Sequence, residues 1–320
     1  MTSCEDAIVV NNNASAVFLI LNTFCKNKEV IVSRGELVEI GGSFRVPEVM
    51  NQSGAKLKEI GTTNKTHLRD YENAICEKTS MLMKVHKSNY SIEGFSSEVS
   101  FEDIVKIAQQ NNLIDYFDMG SGHIIDLPYN LNKDEPSILD IMKYKPSLLS
   151  FSGDKLFGSV QAGIIIGKKE LIAKIKKNQL LRMLRVDKIT LALLEETLNS
   201  YLKNELDSIP TLKMLNTKIE TLEQRANNLK EKCENFIKCE VIKTSTMVGG
   251  GTTPNKKIPT IALALEYKNY KPNKLEEILR KNSIISRIEN DKVLLDFRTI
   301  LESDCKKIEE ILKNLFESTK

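Results

Sequence analysis

Short apolar runs alternate with amphipathic segments through the first half of the chain. Helical spacing of apolar residues predicts helices at 14–25, 68–76 and 101–110. The composition of buried strands recurs at residues 7–10, 29–32, 55–60, 81–85, 113–117, 147–151 and 163–166. This alternation predicts an α/β fold with a mainly parallel sheet and helices on both of its faces.

The pattern changes at residue 168, where the chain becomes helical and highly charged. Helices are predicted at 180–202 and 212–236, with Pro210 as a break between them. Four strands, at 240–242, 260–265, 284–288 and 293–297, then alternate with helices at 274–280 and 303–316. We therefore expect a large α/β domain at 1–205 and a smaller C-terminal α+β domain at 206–320.

One lysine stands just after the strand predicted at 147–151. Lys155 follows Ser152, Gly153 and Asp154 and precedes Gly158. A lysine held at the end of a buried strand is suited to form a Schiff base with a carbonyl cofactor, pyridoxal phosphate above all. The alternative is a strand-end lysine that reaches solvent, since short motifs also match by chance.

Further polar residues follow the other predicted strands, where open parallel sheets bind their ligands. These residues are Asn11, Asn12, Asn13, Arg34, His86 and Asp118. The asparagine amides and the following helix N-terminus are suited to a phosphate, and a carboxylate such as Asp118 keeps a pyridine nitrogen protonated. Each residue also has a structural explanation: a helix cap for the asparagines, a hydrogen-bonded histidine at His86, and a turn carboxylate at Asp118.

Composition narrows the functional classes. The 46 Lys and Arg residues against 43 Asp and Glu give a net charge of +3, which argues against a general nucleic-acid binder. The six cysteines form no Cys-x-x-Cys pair and the three histidines do not flank them at zinc-ligand spacing, so we expect reduced thiols and no metal. The apolar stretch at 16–21 is too short for a signal peptide or a membrane span, so a cytoplasmic protein is expected.

Longer blocks of the sequence resemble one family. The segment Ala-Ile-Val-Val-Asn-Asn-Asn-Ala-Ser-Ala at 7–16, with 30–45, 61–68, 84–89, 118–122, 151–158, 181–188, 247–251 and 294–299, is similar to bacterial selenocysteine synthase, the L-seryl-tRNA(Sec) selenium transferase family. The resemblance implies a fold type I pyridoxal phosphate enzyme with Lys155 as the cofactor lysine, and a homo-oligomer built from dimers. It also implies an N-terminal tRNA-binding domain ahead of the block at residue 7, so we expect a fragment, a late start or a naturally short relative.

The reaction implied by the resemblance converts seryl-tRNA(Sec) to selenocysteinyl-tRNA(Sec) with selenophosphate, through a dehydroalanyl intermediate bound to pyridoxal phosphate. Lys155 or a neighbour removes the α-proton before the β-hydroxyl leaves. Asp154 either tunes the protonation of Lys155 or caps the next turn. Residues 249–251, all glycine, form either a mobile loop at the active-site mouth or a plain hairpin connection. Two other functions stay open: a pyridoxal phosphate-dependent lyase acting on a free amino acid, and an inactive chain that assembles with partner subunits.

Two arginines provide a candidate site for the anionic donor. Arg182 and Arg185 are three residues apart on the helix predicted at 180–202, so one helix face would carry both guanidinium groups as a forked phosphate site. The matching arginines of the family lie in the active site. The sequence alone favours a solvated basic helix face.

Overall fold

The computed structural model describes residues 1–40, 44–133, 135–249 and 251–316. Residues 41–43 of the family-like block at 30–45, and Gly250 of the glycine run, lie outside the described residues. The chain forms two compact units, Met1–Leu212 with Gly249–Asn255, and Lys213–Val248 with the residues from Lys256 onwards. The boundary expected between residues 205 and 206 remains a prediction.

A seven-stranded sheet forms the first unit, in the spatial order β1-β9-β8-β7-β6-β2-β5. A separate antiparallel pair, β3 with β4, adds two short strands. The nine strands are β1 Asp6–Val10, β2 Glu29–Ser33, β3 Glu39–Ile40, β4 Phe44–Arg45, β5 Lys56–Ile60, β6 Thr79–Val85, β7 Ile114–Asp118, β8 Leu148–Ser152 and β9 Gly163–Gly167.

The large sheet is parallel except at one strand. β2 pairs in parallel with β5 and β6, and β7 pairs in parallel with β6 and β8. β9 runs antiparallel to both of its neighbours, β8 and β1. All residues of β8 and β9 are buried, which explains why these strands read as continuous apolar runs without alternation. The mainly parallel α/β sheet predicted from the sequence is confirmed, and the antiparallel β9 was not anticipated.

The helices of the first half begin with α1, whose residues Ala16, Val17, Leu19, Ile20 and Leu21 are buried in the main core. The helices are α1 Asn13–Phe24, α2 Val46–Ser53, α3 Leu68–Ala74, α4 Phe101–Gln110, α5 Ile138–Met142, α6 Lys169–Lys177, α7 Leu181–Leu184, α8 Lys188–Leu202 and α9 Pro210–Asn216. Across the described ranges, no helix combines the length and the apolar character needed to cross a membrane.

The helix predicted at 180–202 is wrong as one continuous element. The chain leaves the helical conformation at Arg185, whose ψ of 147° is extended, and there its backbone bridges to Val10. α8 starts afresh behind Asp187, whose carboxylate accepts a hydrogen bond from the Thr190 amide at 2.9 Å. At Arg185, backbone pairing with the edge strand β1 therefore overrides the helical propensity of the sequence.

The second unit contains a four-stranded sheet in the order β10-β11-β13-β12. Its elements are α10 Ile219–Cys233, β10 Lys238–Gly249, β11 Thr252–Glu266, α11 Pro272–Lys281, β12 Arg287–Glu289, β13 Lys292–Asp296 and α12 Glu302–Phe316. Leu263 and Leu295 of the sheet share a core with Leu279 and Leu312 of the helices. Buried Arg298 donates to the carbonyl oxygens of Met214, Leu215 and Thr217 near the end of α9, so it has a structural role in this unit.

A close approach of two backbones fixes the turn between β1 and α1. A Cβ atom on Gly163 would lie 2.2 Å from the Asn12 carbonyl oxygen and 2.9 Å from the Asn13 nitrogen. Both contacts are with backbone, so neither can move aside as a flexible side chain would.

We therefore predict that Gly163→Ala lowers the free energy of unfolding by about 1–3 kcal/mol, the usual cost of overpacking. Chemical denaturation monitored by circular dichroism measures the change. Gly249→Ala is the matched control, because a Cβ there meets no atom within 4 Å. Equal stability of the parent and Gly163→Ala would show that the turn yields without cost.

Candidate active site

Three neighbouring strands bring polar residues to one edge of the large sheet. His86 directly follows β6, Asp118 ends β7, and Lys155 stands three residues after β8. Because β6, β7 and β8 are adjacent and parallel, their carboxyl ends coincide. The His86 amide donates to the Asp118 carbonyl oxygen at 2.9 Å, which joins two of the three positions directly. Arg34, at the end of β2, instead forms a surface ion pair with Glu59 at 3.1 Å.

Asp118 is the most constrained of these residues. It is only 6% exposed, and its Oδ1 accepts hydrogen bonds from Asn13 Nδ2 at 2.7 Å and from the Gly120 amide at 3.0 Å. Burial raises the pKa of Asp118, and the two hydrogen bonds and the charge of Lys155 oppose that increase without cancelling it. A buried carboxylate in this state favours a proton or a cation beside it.

The asparagines at the start of α1 have different positions. Asn12 is the N-cap, with its side chain accepting from the Ser15 amide at 2.8 Å. Asn13 is the first helical residue and links the helix to Asp118. The helix N-terminus, with its free amides, is thereby fixed beside the carboxylate. The cap interpretation is therefore right for Asn12, and Asn13 has a further role that the sequence pattern did not separate.

Buried polar atoms beside Asp118 test whether this edge fits a polar ligand. Asn13 Oδ1 and Ser121 Oγ are buried and make no hydrogen bond within the described part of the chain. Ser121 belongs to the turn that follows Asp118 and is completely buried. Since buried polar groups are normally satisfied, the residues around Asp118 fit a cofactor with hydrogen-bonding groups of its own.

Lys155 is half-buried, and its backbone carbonyl accepts from the Gly158 amide at 2.9 Å. A Cβ atom on Gly251 would lie 3.1 Å from Lys155 Cε and 3.3 Å from Nζ, so the segment at 251 packs directly on the lysine side chain. Asp154 is exposed and accepts from Ser152 Oγ at 2.9 Å. This contact is the local turn bond expected of a capping carboxylate, and a catalytic role for Asp154 remains a prediction.

His86 has an acidic neighbour that sequence reasoning missed. Its Nδ1 lies 3.7 Å from Oε1 of Glu135, whose side chain is 2% exposed. Glu135 belongs to a charged stretch of the sequence without a motif, and residues distant in sequence, His86 and Thr253, lie against its side chain. No periodicity in the sequence marks such a residue.

Arg182 and Arg185 lie beside β1. Arg182 belongs to α7, whereas Arg185 follows its last turn, so the expectation of one helix face carrying both is wrong. The Asn11 amide donates to the Leu184 carbonyl oxygen at 2.9 Å, which ties this segment to the end of β1. Both arginines line an open hollow of about 410 Å³ together with Lys176 and Lys177. In the described ranges neither guanidinium forms a hydrogen bond or an ion pair, so no such contact joins these arginines to Asp118.

Among the residues that the structure describes, no group of three or more His, Cys, Asp or Glu side chains is arranged to hold a metal ion.

Comparison with known proteins identifies related chains. A family model described as L-seryl-tRNA selenium transferase matches residues 1–301. The L-seryl-tRNA(Sec) selenium transferase of Aliarcobacter butzleri is 99% identical over the whole chain and 71% of its own length, and that of Sulfurimonas denitrificans is 66% identical over 98% of the chain and 70% of its own length.

A solved structure supports the fold. A D-glucosaminate-6-phosphate ammonia-lyase superposes with a TM-score of 0.70 at 20% identity, covering 99% of this chain and 83% of the lyase. At this level of identity the similarity establishes the fold alone. The α/β architecture with a smaller C-terminal α+β part is thus shared with an enzyme of distant sequence.

The buried carboxylate generates a pH-dependent prediction for the ligand-free protein. Because the pKa of Asp118 is raised in the folded state, the native protein holds this proton more tightly than the unfolded chain does. The contribution of Asp118 to stability is therefore lost as the pH rises through the ordinary pKa towards the raised one. We expect Asp118→Asn, which does not titrate, to gain thermal stability relative to the parent as the pH rises above about 4, the ordinary pKa of an aspartate.

Melting temperatures of both proteins from about pH 3 to pH 7 measure the effect. The comparison below the ordinary pKa, where both side chains are neutral, is the internal control. A variant that loses stability relative to the parent as the pH rises would mean that the anion of Asp118 stabilises the fold.

Proposed function

The chain belongs to the L-seryl-tRNA(Sec) selenium transferase family, whose reaction converts seryl-tRNA(Sec) to selenocysteinyl-tRNA(Sec), and on this premise we propose that pyridoxal 5'-phosphate and selenophosphate serve that reaction here. The observation that carries the proposal is the cluster formed by Lys155, Asp118 and Asn13 at the carboxyl edge of the sheet.

The cluster offers a complementary group for each part of the cofactor. Lys155 supplies the amine for covalent attachment, and Asp118 is the carboxylate for the ring nitrogen. The N-terminus of α1, at Asn12 and Asn13, supplies free amides for the phosphate, and His86 adjoins Asp118. Pyridoxal phosphate, when bound, supplies an electron sink for charge that develops at the α-carbon of an attached amino acid.

The chain's own residues handle the protons of the reaction. The raised pKa of Asp118 suits it to share a proton with a basic nitrogen instead of remaining a solvated anion. Lys155 Nζ, once released from the cofactor, is the base that takes the α-proton of the seryl group. Lys155 passes this proton to the β-hydroxyl oxygen, which leaves as water. The selenium atom of selenophosphate then bonds to the β-carbon, and its proton is taken up by Lys155, which returns it to the α-carbon. Water cleaves the selenium–phosphorus bond, so that the phosphoryl group leaves as phosphate.

Arg182 and Arg185 are proposed to bind the phosphate of the selenium donor. Both are exposed and none of their guanidinium groups is engaged by the described residues, so their donors are available to a ligand. Lys176 and Lys177 line the same hollow and add positive charge. Two guanidinium groups supply the fixed hydrogen-bond geometry that lysines lack.

A homo-oligomer built from dimers is also proposed. The helices α7 and α8 carry large apolar side chains that a monomer exposes to water. At least half of the surface is exposed at each of Met183, Ile189, Leu193 and Leu202. Such a concentration on α7 and α8 is typical of a surface that another subunit covers.

Six free cysteines support action in a reducing compartment, the cytoplasm.

We predict that Lys155 is the residue to which pyridoxal phosphate attaches. Borohydride reduction followed by peptide mass spectrometry should place the pyridoxyl group on Lys155 in the parent. In Lys155→Ala, no lysine should carry the group. Conversion of seryl-tRNA(Sec) should fall by roughly 10²–10⁴-fold, the range for loss of a general base. Lys203→Ala, at an exposed helix end, is the control and should behave as the parent. A pyridoxyl group fixed on another lysine in Lys155→Ala would refute the assignment.

A second prediction concerns the donor. Replacing both Arg182 and Arg185 by lysine keeps the charge but removes the guanidinium geometry, so the selenophosphate concentration at half-maximal rate should rise roughly tenfold, as for loss of one charged hydrogen bond. Steady-state kinetics measure the change, with attachment at Lys155 unaltered. Arg34→Lys is the control, because Arg34 is engaged with Glu59 on the surface. Unchanged use of the donor would remove the two arginines from the site.

A further inference from the structure

Glu135 is a buried acid whose backbone contacts a buried histidine. Glu135 as a whole residue is 1% exposed. Its backbone carbonyl oxygen lies 2.8 Å from Nε2 of His123, which is itself completely buried. The other ring nitrogen of His123 lies 2.7 Å from the Ile125 carbonyl oxygen, and the Ile138 amide donates to the His123 carbonyl at 2.8 Å. His123 thus contacts the backbone of Ile125, Glu135 and Ile138, and its contact with Glu135 helps to place this residue.

The side chain of Glu135 joins two segments that are distant in sequence. Its Oε1 lies 3.7 Å from His86 Nδ1, and its Oε2 accepts from the Thr253 amide at 3.4 Å. His86 adjoins Asp118, and Thr253 stands two residues after Gly251, which packs on Lys155. The contact with His86 is a close approach without a hydrogen bond and the contact with Thr253 is a long hydrogen bond, and together they offset part of the cost of burying this carboxylate.

The backbone at Thr253 is strained. Its φ is +43°, in the left-handed region that β-branched residues rarely adopt. Thr253 is 2% exposed, and its hydroxyl makes no hydrogen bond in the described ranges. Such a conformation persists only where the surroundings enforce it, and strained residues of this kind cluster at functional sites. The hydrogen bond from the Thr253 amide to Glu135 is one contact that enforces it.

We propose that Glu135 is a positioning residue for the reaction. Its carboxylate holds the imidazole of His86 at the cofactor and holds the strained backbone at Thr253, which keeps Gly251 against the Lys155 side chain. The assignment of His86 rests on the proposed function. Glu135 touches neither the substrate nor the cofactor in this account and acts through His86 and through the segment 251–253.

The test uses Glu135→Gln, which keeps the size of the side chain and removes its charge. The matched control is Asp115→Asn, another fully buried acid, which is bonded to Ser147 instead. Absorbance titration with pyridoxal phosphate should give a dissociation constant roughly tenfold higher for Glu135→Gln, the size expected for residues that act together. Asp115→Asn should bind like the parent. Combining Glu135→Gln with His86→Asn should add less than the full effect of Glu135→Gln alone, because part of that effect acts through His86.

A second readout does not depend on the cofactor. In the ligand-free protein, hydrogen exchange at the Thr253 amide should be faster in Glu135→Gln than in the parent and unchanged in Asp115→Asn. If Glu135→Gln does not fold by circular dichroism, Glu135→Asp, which keeps the charge but is shorter by one methylene, should shift both readouts in the same direction.

The two proposals fail separately. A parent protein that binds no pyridoxal phosphate contradicts the proposed function, and the exchange measurement alone then decides the contact to Thr253. A parent that binds the cofactor while Glu135→Gln binds it equally well, or adds its full effect to that of His86→Asn, overturns the positioning role. Unchanged exchange at Thr253 also overturns it.

Discussion

Burial of the Asp118 carboxylate without a cationic partner is the constraint on which the site depends. A second buried acid, Glu36, has the Lys84 ammonium group at 3.0 Å, and although burial opposes it, the charges of Glu36 and Glu98 raise the pKa of Lys84. Asp118 has no ion pair within the described ranges and relies on neutral donors from Asn13 and Gly120. A buried acid of this kind is stabilised by a cationic group beside it, and under the proposed function a protonated ring nitrogen would be that group.

Satisfying that carboxylate orders the surrounding elements. Asn13 reaches Asp118 because β1 lies in the same sheet as β7 and is followed after two residues by α1. β9 runs antiparallel between β1 and β8, and Gly163 lets it approach the turn at Asn12. The Asn11 amide next to this turn donates to the Leu184 carbonyl oxygen, and Val10 of β1 bridges to Arg185. These backbone contacts position the segment that carries the arginines. The surroundings of Asp118 are thus connected through backbone packing to the hollow beside Arg182 and Arg185.

The places of His86, Asp118 and Lys155 at one edge of the sheet could be predicted from strand order, because the ends of parallel strands coincide. Their roles remain predictions. The hydrogen bond between Asn13 and Asp118 spans 105 positions and no local pattern encodes it. Glu135 was missed because an irregular loop buries it, and the break at Arg185 because a tertiary bridge to Val10 overrides helical spacing. Local periodicity predicts elements, whereas these contacts depend on how the elements meet.

A crystal structure of the protein grown with pyridoxal 5'-phosphate tests the central claim most directly. The account predicts density continuous with Lys155 Nζ, the ring nitrogen within about 3 Å of Asp118, and the phosphate at the N-terminus of α1. A cofactor bound elsewhere, or one whose ring nitrogen faces away from Asp118, would contradict it.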